Sequence, residues 1–302
     1  MKHFIYKCLF GLLGAVLLLC LFAFNGSGTA GTISENTTTT TDSASTEGSS
    51  YTYTIIEMPF DYDGGTIFGQ IYLPDTGKDR VPTVIISHGF QARYFYNGDY
   101  ADALAKAGYA VYLFDFTGGS MESASGGSMT DMSILTEKAD LERVIDFIST
   151  QSFVDTDNLF LFGESQGGLV TAITAPEYQD KLNGLILLYP AFNITSICRS
   201  PLLSSSMICD SNTFDGATVS RKYFDDARTV DSYQIISSFN KDVLILQGDR
   251  DTMVPIAYVK TAAEIYPHCD YQVIQGAGHG FNGAERTEAM NLIVQFVSSH
   301  IK

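Results

Sequence analysis

From Tyr51 onward, short apolar segments alternate with segments whose apolar residues recur at helical spacing. The later apolar segments are VPTVIIS (81–87), YAVYLFDF (109–116), NLFLFG (158–163), GLILLYP (184–190), DVLILQG (242–248) and YQVIQG (271–276). Their nearly continuous apolar character is typical of parallel strands buried on both faces. Between them, sets such as Leu141, Val144 and Ile148 predict amphipathic helices. The pattern therefore predicts an α/β fold, with a mostly parallel eight-stranded sheet and helices on both faces.

Two stretches depart from this alternation. Near the start, YTYTIIEMPF and TIFGQIYL flank Asp63-Gly64-Gly65, which predicts an opening antiparallel hairpin. Residues 191–236 contain no strand–helix unit, although connections in compact domains are usually much shorter. Because this segment carries apolar side chains that need covering, including Phe192 and Tyr223, we expect a small cap insertion there.

Residues 1–50 differ in composition from the rest of the chain. Lys2 and Lys7 precede the apolar run CLFGLLGAVLLLCLFAF (8–24), a pattern typical of an export signal over residues 1–30. The run is at the short limit for a membrane span, which leaves open a removed signal peptide or a retained anchor. Residues 31–50 are rich in Ser and Thr and predict a flexible linker. We expect a domain at 51–302, secreted or extracytoplasmic, held off a membrane or cell wall.

The chain is strongly acidic. It has 34 Asp and Glu against 18 Lys and Arg, a formal net charge of −16. This charge repels nucleic-acid phosphates and anionic lipid headgroups, so it argues against a nucleic-acid partner and against membrane binding through a basic patch. Cys198 and Cys209 are close enough in sequence to close a loop by a disulfide, and free buried thiols are the alternative. The oligomeric state is left open.

The segment LFLFGESQGGLVTAITA (159–175) places Ser165 where a predicted strand turns into a predicted helix. Gly163 and Gly167 leave room for a sharp turn, which would project the Ser165 hydroxyl above the sheet edge with the N–H of Gln166 beside it. A serine nucleophile needs a base and donors for the oxyanion that it creates. The G-x-S-x-G string alone is weak in a chain rich in Gly and Ser, and a structural turn is the alternative. Its position between strand and helix predicts a nucleophile.

A base and an acid should follow the nucleophile along the chain. We expect His279 of GAGHGF as the base, and His88, which precedes the nucleophile, in a structural role. The loop GDRDTMVP offers Asp249 and Asp251. We expect Asp251 as the acid, because it lies farther from the strand end and reaches farther toward an imidazole. The second oxyanion donor is expected to be the N–H of Phe90 in SHGF.

Patterns for other ligands are not evident in the sequence. It shows no H-E-x-x-H motif and no Cys/His cluster, and DTDN (155–158) lacks the spacing of a calcium loop. No G-x-G-x-x-G follows a predicted strand as in a dinucleotide-binding fold. The sequence thus predicts neither a metal nor a cofactor.

The segments SHGF, GESQGG, GDRDTMVP and GAGHGF, in this order, resemble the α/β-hydrolase superfamily over residues 51–302. HGF, LFDFTGGS, the S-x-G-G turn and the cap length are similar to the cinnamoyl or feruloyl esterase branch of bacterial carboxylesterases. The resemblance implies that the catalytic triad is Ser165, Asp251 and His279, that the amides of Phe90 and Gln166 form the oxyanion hole, and that the cap shapes an acyl or aryl pocket. One departure is residues 114–133, where the family often has a short glycine motif.

Three hypotheses follow. The leading one is a secreted serine esterase that forms an acyl-enzyme on small-molecule esters, with aromatic (cinnamoyl or feruloyl) or short acyl groups. The second is a serine peptidase of the prolyl oligopeptidase or aminopeptidase type, which shares every catalytic residue, although no propeller segment and no glutamate pair are evident. The third is a catalytically inactive module for adhesion or ligand binding, against which the intact triad argues.

Overall fold

A computed structural model of the protein describes residues 50–214 and 216–302. The expected export segment, 1–30, lies outside the described residues, as does the 31–50 linker except for Ser50. In the part of the chain that is described, none of the helices has the length and apolar character needed to cross a membrane.

The described elements alternate as the sequence pattern predicts. The strands are β1 (Tyr53–Glu57), β2 (Phe60–Tyr62), β3 (Gly65–Ile67), β4 (Gly69–Pro74), β5 (Val81–Ser87), β6 (Ala110–Phe114), β7 (Val154–Glu164), β8 (Gly184–Leu188), β9 (Ser211–Phe214), β10 (Ala217–Ser220), β11 (Asp242–Gly248) and β12 (Cys269–Ile274). The α-helices are α1 (Gly98–Lys106), α2 (Ile134–Ser149), α3 (Ser165–Thr174), α4 (Asn193–Arg199), α5 (Arg221–Thr229), α6 (Ser232–Ile236), α7 (Ile256–Ile265) and α8 (Gly283–Ser299).

Eight of these strands form one sheet in the order β1-β4-β6-β5-β7-β8-β11-β12. The pairs β1–β4 and β4–β6 are antiparallel, and the pairs from β6 through β12 are parallel. The prediction of a mostly parallel eight-stranded sheet is therefore confirmed. Since the carboxyl ends of parallel strands lie at one edge, the loops that follow β5, β7, β11 and β12 meet there.

The opening hairpin is more divided than the sequence pattern suggests. The turn at Asp63-Gly64 joins β2 to β3, which form a separate two-stranded sheet. The main-sheet pairing is made instead by β1 with β4, with Tyr53 opposite Pro74 and Glu57 opposite Gln70. Pro59 lies at the break between β1 and β2, where it has no N–H to donate to a strand partner.

The core is divided between the two faces of the sheet. Along β5, Ile85 packs into one apolar cluster, and its neighbours Val84 and Ile86 pack into the other. The first cluster includes Leu141 of α2, and the second includes Ile293 of α8. Helices therefore cover both faces, and strands buried on both sides account for the continuous apolar runs in the sequence.

Residues 191–236, which we call the cap, connect β8 to β11. Their described part forms α4, the β9–β10 hairpin, α5 and α6 and adds no strand to the eight-stranded sheet. Its helix α5 buries Phe224 in the cluster that also holds Leu141. Cys198, which is buried, and Cys209, which is exposed, are free thiols, so the two are not paired.

Candidate active site

Ser165 lies at a sharp junction, because β7 ends at Glu164 and α3 begins at Ser165 itself. Its φ of +51° is in the left-handed region, which a side-chain-bearing residue adopts only at a cost of about 1–3 kcal/mol. The glycines around it allow the close packing of the turn. A Cβ at Gly163 would lie 2.5 Å from the carbonyl oxygen of Gly167, and one at Gly167 would lie 2.3 Å from that of His88.

The structure brings Ser165, His279 and Asp251 together. The Oγ of Ser165 lies 2.8 Å from Nε2 of His279, and Nδ1 of the same ring lies 2.8 Å from Oδ2 of Asp251. His279 follows β12 and Asp251 follows β11, so both reach the edge of the sheet where β7 ends. In this arrangement Nδ1–H donates to the carboxylate, and Nε2 is free to accept the proton of the serine hydroxyl.

The carboxylate of Asp251 is fully buried and fixed by several donors. The backbone N–H groups of Met253 and Val254 donate to its Oδ1, both at 2.8 Å, and Nε2 of Gln247 donates to Oδ2 at 3.1 Å. Asp249, the other acid that the sequence offered, accepts instead from the N–H of Gly276 at 2.6 Å and joins the loops after β11 and β12. The structure thus directs Asp251, and not Asp249, to the imidazole.

The backbone of the loop after β5 lies against Ser165. A Cβ at Gly89 would be 3.2 Å from the Cβ of Ser165 and 3.8 Å from its Oγ, so Phe90 begins beside Ser165. Gln166 is the second residue of α3, where the N–H groups have no acceptor within the helix. Both amides therefore belong to segments at the serine. Their role as oxyanion donors stays a prediction.

His88 is buried beneath this loop. Its Nδ1 donates to the carbonyl oxygen of Gly89 at 2.8 Å, and its Nε2 accepts from the N–H of Phe116 at 3.1 Å. Complete burial lowers the pKa of His88, which favours the neutral ring that these two bonds require. The imidazole therefore holds the loops after β5 and β6 together.

Asp115 shapes the loop at residues 116–133. Its Oδ1 accepts from the N–H of Tyr94 at 2.7 Å, and its Oδ2 accepts from that of Ala124 at 2.8 Å. The loop in turn binds the cap: Ser133 Oγ donates to Asp226 at 2.5 Å, and the carbonyl oxygen of Thr130 accepts from Ser220 Oγ at 2.5 Å. The segment that departs from the family pattern thus supports the cap.

Sequence reasoning missed a buried pair behind the imidazole. The hydroxyl of Tyr189 donates to Glu164 Oε2 at 2.8 Å, and the Tyr189 ring lies 4.6 Å from that of His279 between centroids. Tyr189 has a φ of +37°. The signal in the sequence was a carboxylate directly before the serine, at the end of an apolar strand.

The side chain of Gln166 was also missed. Its Nε2 donates to Glu137 Oε2 at 2.8 Å, and its Oε1 accepts from the hydroxyl of Tyr223 in the cap at 2.7 Å. Burial raises the pKa of Glu137 to about 8, although the bond from Gln166 opposes the rise. The spacing along the chain could have predicted that Glu137 is buried. Glu137 follows Ile134 by three positions and precedes Leu141 by four, which places all three on the buried face of α2.

Among the described residues, no group of three or more His, Cys, Asp or Glu side chains is placed to hold a metal ion.

A serine, a histidine and an aspartate joined by hydrogen bonds at the carboxyl edge of a sheet in this strand order are the arrangement found in serine hydrolases with the α/β-hydrolase fold. Residues 78–235, slightly more than half of the chain, match the family model described as serine aminopeptidase, S33, and the chain belongs to that family. The matched range includes Ser165 and ends before Asp251 and His279.

One relative and several solved structures are similar to this chain. An uncharacterized protein of Mycobacterium tuberculosis is 27% identical over 217 residues, which are 71% of this chain and 69% of that protein. Est1E from Butyrivibrio proteoclasticus with ferulic acid bound is 25% identical, with a TM-score of 0.74 over 80% of this chain and 98% of its own. A monoacylglycerol lipase of Paleococcus ferrophilus shares the fold at 19% identity, with a TM-score of 0.59 over 78% of this chain and 99% of its own. The enzyme is a serine hydrolase of the carboxylesterase type.

Proposed function

We propose that the protein is an extracytoplasmic serine esterase that hydrolyses small-molecule esters with aromatic or short acyl groups through an acyl-enzyme. The observation that carries the proposal is the continuous chain of hydrogen bonds from Ser165 Oγ through His279 to Asp251, each 2.8 Å long. A strained left-handed φ at Ser165 supports it, since such strain is concentrated at functional residues.

In the first half-reaction, Ser165 Oγ forms a bond to the ester carbonyl carbon while Nε2 of His279 takes the hydroxyl proton. The carbonyl oxygen becomes an oxyanion, to which the N–H groups of Phe90 and Gln166 donate. The bond to the alcohol oxygen then breaks, and His279 gives its proton to the departing alcohol. Throughout, Asp251 holds the imidazole by accepting from Nδ1–H, and three further donors fix its buried carboxylate.

In the second half-reaction, water takes the place of the alcohol. His279 accepts a proton from the water as the water oxygen bonds to the acyl carbon. The bond from that carbon to Ser165 Oγ breaks, and the serine recovers the proton from Nε2. The products are one carboxylic acid and one alcohol per ester and water consumed, with the enzyme returned to its starting protonation state.

The aromatic part of the proposal is supported from two sides. Est1E, which is similar over most of its length, was solved with ferulic acid bound. In this chain the ring of Phe90, next to the nucleophile, lies 6.3 Å from the ring of Tyr223 in the cap between centroids. Aromatic side chains near a reactive centre favour a flat acyl group, because offset and edge-to-face ring contacts add to the burial energy.

The location outside the cytoplasm belongs to the proposal as well. It is supported by the lysines and apolar run of residues 1–30 and by the Ser/Thr-rich composition of residues 31–50. Either a released domain or one tethered at its N-terminus is compatible with that segment. Fractionation of the host, followed by N-terminal sequencing of the recovered protein, separates a cleaved signal from a retained anchor.

Amide hydrolysis is the second candidate, and the description of the matched family, serine aminopeptidase, favours it. A peptidase would use the same three residues, so the substrates must decide. We would compare p-nitrophenyl acetate, p-nitrophenyl butyrate, methyl ferulate and methyl cinnamate with aminoacyl p-nitroanilides. Each is assayed beside Ser165→Ala, and labelling by a fluorophosphonate probe counts the reactive sites.

We expect turnover of the esters, labelling of the wild type only, and loss of both in Ser165→Ala. Equal rates on acetate and on matched aromatic acyl esters would refute the proposed preference for aromatic acyl groups but not the esterase activity. Hydrolysis of the anilides in preference to every ester would refute the esterase proposal and favour the peptidase. A wild-type protein that neither labels nor turns over any substrate would refute both.

A further inference from the structure

We propose that Tyr223 of the cap is a positioning residue for the oxyanion hole, so that the seating of the cap sets the rate of the acyl-transfer step. The inference rests on the proposed function and deepens it, because it assigns a role in that reaction to a residue outside the triad. Tyr223 does not touch the reacting atoms in this account. It acts through Gln166 and Phe90.

One cap side chain contacts both residues whose amides are predicted to receive the oxyanion. The hydroxyl of Tyr223 donates to Oε1 of Gln166 at 2.7 Å. The ring of Tyr223 meets that of Phe90 nearly edge-on, at an interplanar angle of 67°. Phe90 lies in the loop after β5 and Gln166 in the first turn of α3, and Tyr223 of the cap contacts both.

The side chain of Gln166 is held from its other end by the core. Its Nε2 donates to Oε2 of the buried Glu137 at 2.8 Å, with the sulfur of Met132 at 3.7 Å. Gln166 is itself buried. A side chain bonded at both polar ends has little rotamer freedom, so it restrains the backbone of its own residue.

That restraint acts on the peptide group whose N–H is predicted to bind the oxyanion. The N–H of Gln166 follows directly on Ser165, whose φ of +51° keeps the turn in a sparsely populated conformation. An oxyanion donor contributes fully only when it lies about 2.7–3.1 Å from the developing charge. A small rotation of the Ser165–Gln166 peptide would therefore lower the rate without displacing the triad.

The hydroxyl is the informative atom of Tyr223, because apolar packing of α5 would be served as well by phenylalanine. Tyr233 of α6 provides a matched comparison within the same cap. Its hydroxyl donates at 3.0 Å to the carbonyl oxygen of Tyr258 in α7, and not to Gln166. Each variant deletes a tyrosine hydroxyl that donates a hydrogen bond in the cap, but only the hydroxyl of Tyr223 donates to Gln166.

The test compares Tyr223→Phe with Tyr233→Phe, using the ester that the wild type hydrolyses fastest. Rates are divided by the number of sites that a fluorophosphonate titrates, which removes any effect of misfolded protein. We expect kcat of Tyr223→Phe to fall about five- to tenfold, the effect of losing roughly one hydrogen bond in the transition state, with KM changed less than twofold. The inhibition constant of a trifluoromethyl ketone, which forms an oxyanion adduct, should rise by the same factor.

Tyr233→Phe should keep kcat within twofold of the wild type. In a Gln166→Ala background, Tyr223→Phe should change kcat no further, because the side-chain oxygen that accepts from the Tyr223 hydroxyl is absent. The inference would be overturned by unchanged kcat in Tyr223→Phe, by a change confined to KM, or by equal losses in the two phenylalanine variants. A wild type inert toward all substrates and the probe refutes the proposed function and the inference with it. An active wild type with an unaffected Tyr223→Phe refutes the inference alone.

Discussion

Replacing Glu137 with glutamine tests the electrostatics beneath the nucleophile. Its carboxyl group is fully buried in α2, and burial raises its pKa from the ordinary 4.5 to about 8. The folded protein therefore holds this proton more tightly than the unfolded chain does. The stability contributed by the proton is complete below pH 4.5, is lost as the pH rises toward about 8, and changes no further above that pH.

The size of the effect follows from the two pKa values. Each tenfold difference in proton affinity is worth ~1.4 kcal/mol, so the interval from 4.5 to about 8 costs the wild type ~5 kcal/mol of folding free energy. Glutamine resembles the protonated acid in shape, carries no charge, and keeps an oxygen that accepts from Nε2 of Gln166. Glu137→Gln should therefore lose this part of the pH dependence.

The assay is urea unfolding at intervals between pH 5 and pH 9. The difference in unfolding free energy, Glu137→Gln minus wild type, should rise by most of that ~5 kcal/mol between pH 5 and pH 8 and then level off. Glu142→Gln is the control, because it makes the same chemical change on the same helix, at a residue in a partly exposed pair with Lys138. A difference curve for Glu137→Gln that is flat with pH, or that matches Glu142→Gln, would contradict this account.

Two further predictions concern the site. Asp251→Asn should lower kcat/KM on esters by about 10³- to 10⁴-fold, because an amide no longer fixes the His279 tautomer, whereas Asp249→Asn should stay within about threefold in the same assay; comparable losses in both would mean that the acid is wrongly assigned. Gly167→Ala should lower the unfolding free energy by about 2–4 kcal/mol in urea, since its Cβ would lie 2.3 Å from the carbonyl oxygen of His88. Unchanged stability in that variant would show that the turn has room to relax.

Much of the sheet was predictable because burial on both faces marks its strands. The apolar run at 81–87 coincides with β5. Strand β6 ends at Phe114, before the predicted end, because Asp115 turns its carboxylate to loop N–H groups. Strand β7 begins at Val154, earlier than predicted, because Asp155, Thr156 and Asp157 near its start are polar and at least partly exposed, and an apolar pattern does not register such residues.

That Ser165, His279 and Asp251 lie together was predictable for a different reason. Parallel strands end at one edge, so residues far apart in the chain can be assigned to one site from their positions after predicted strands. The contacts of Glu137 and Tyr223 do not follow from such a rule. They depend on how the cap and α2 pack over Gln166, and nothing local in the cap sequence determines that packing.

The hydrogen bonds from Ser133 to Asp226 and from Ser220 to Thr130 have a consequence for engineering. Each bond has one partner in residues 116–133 and the other in the cap, so the two segments form a single structural module although more than fifty residues separate them in the chain. A chimaera that imports the cap of a relative to change its selectivity should therefore import the matching 116–133 segment too, or the transplanted cap will lack its anchors.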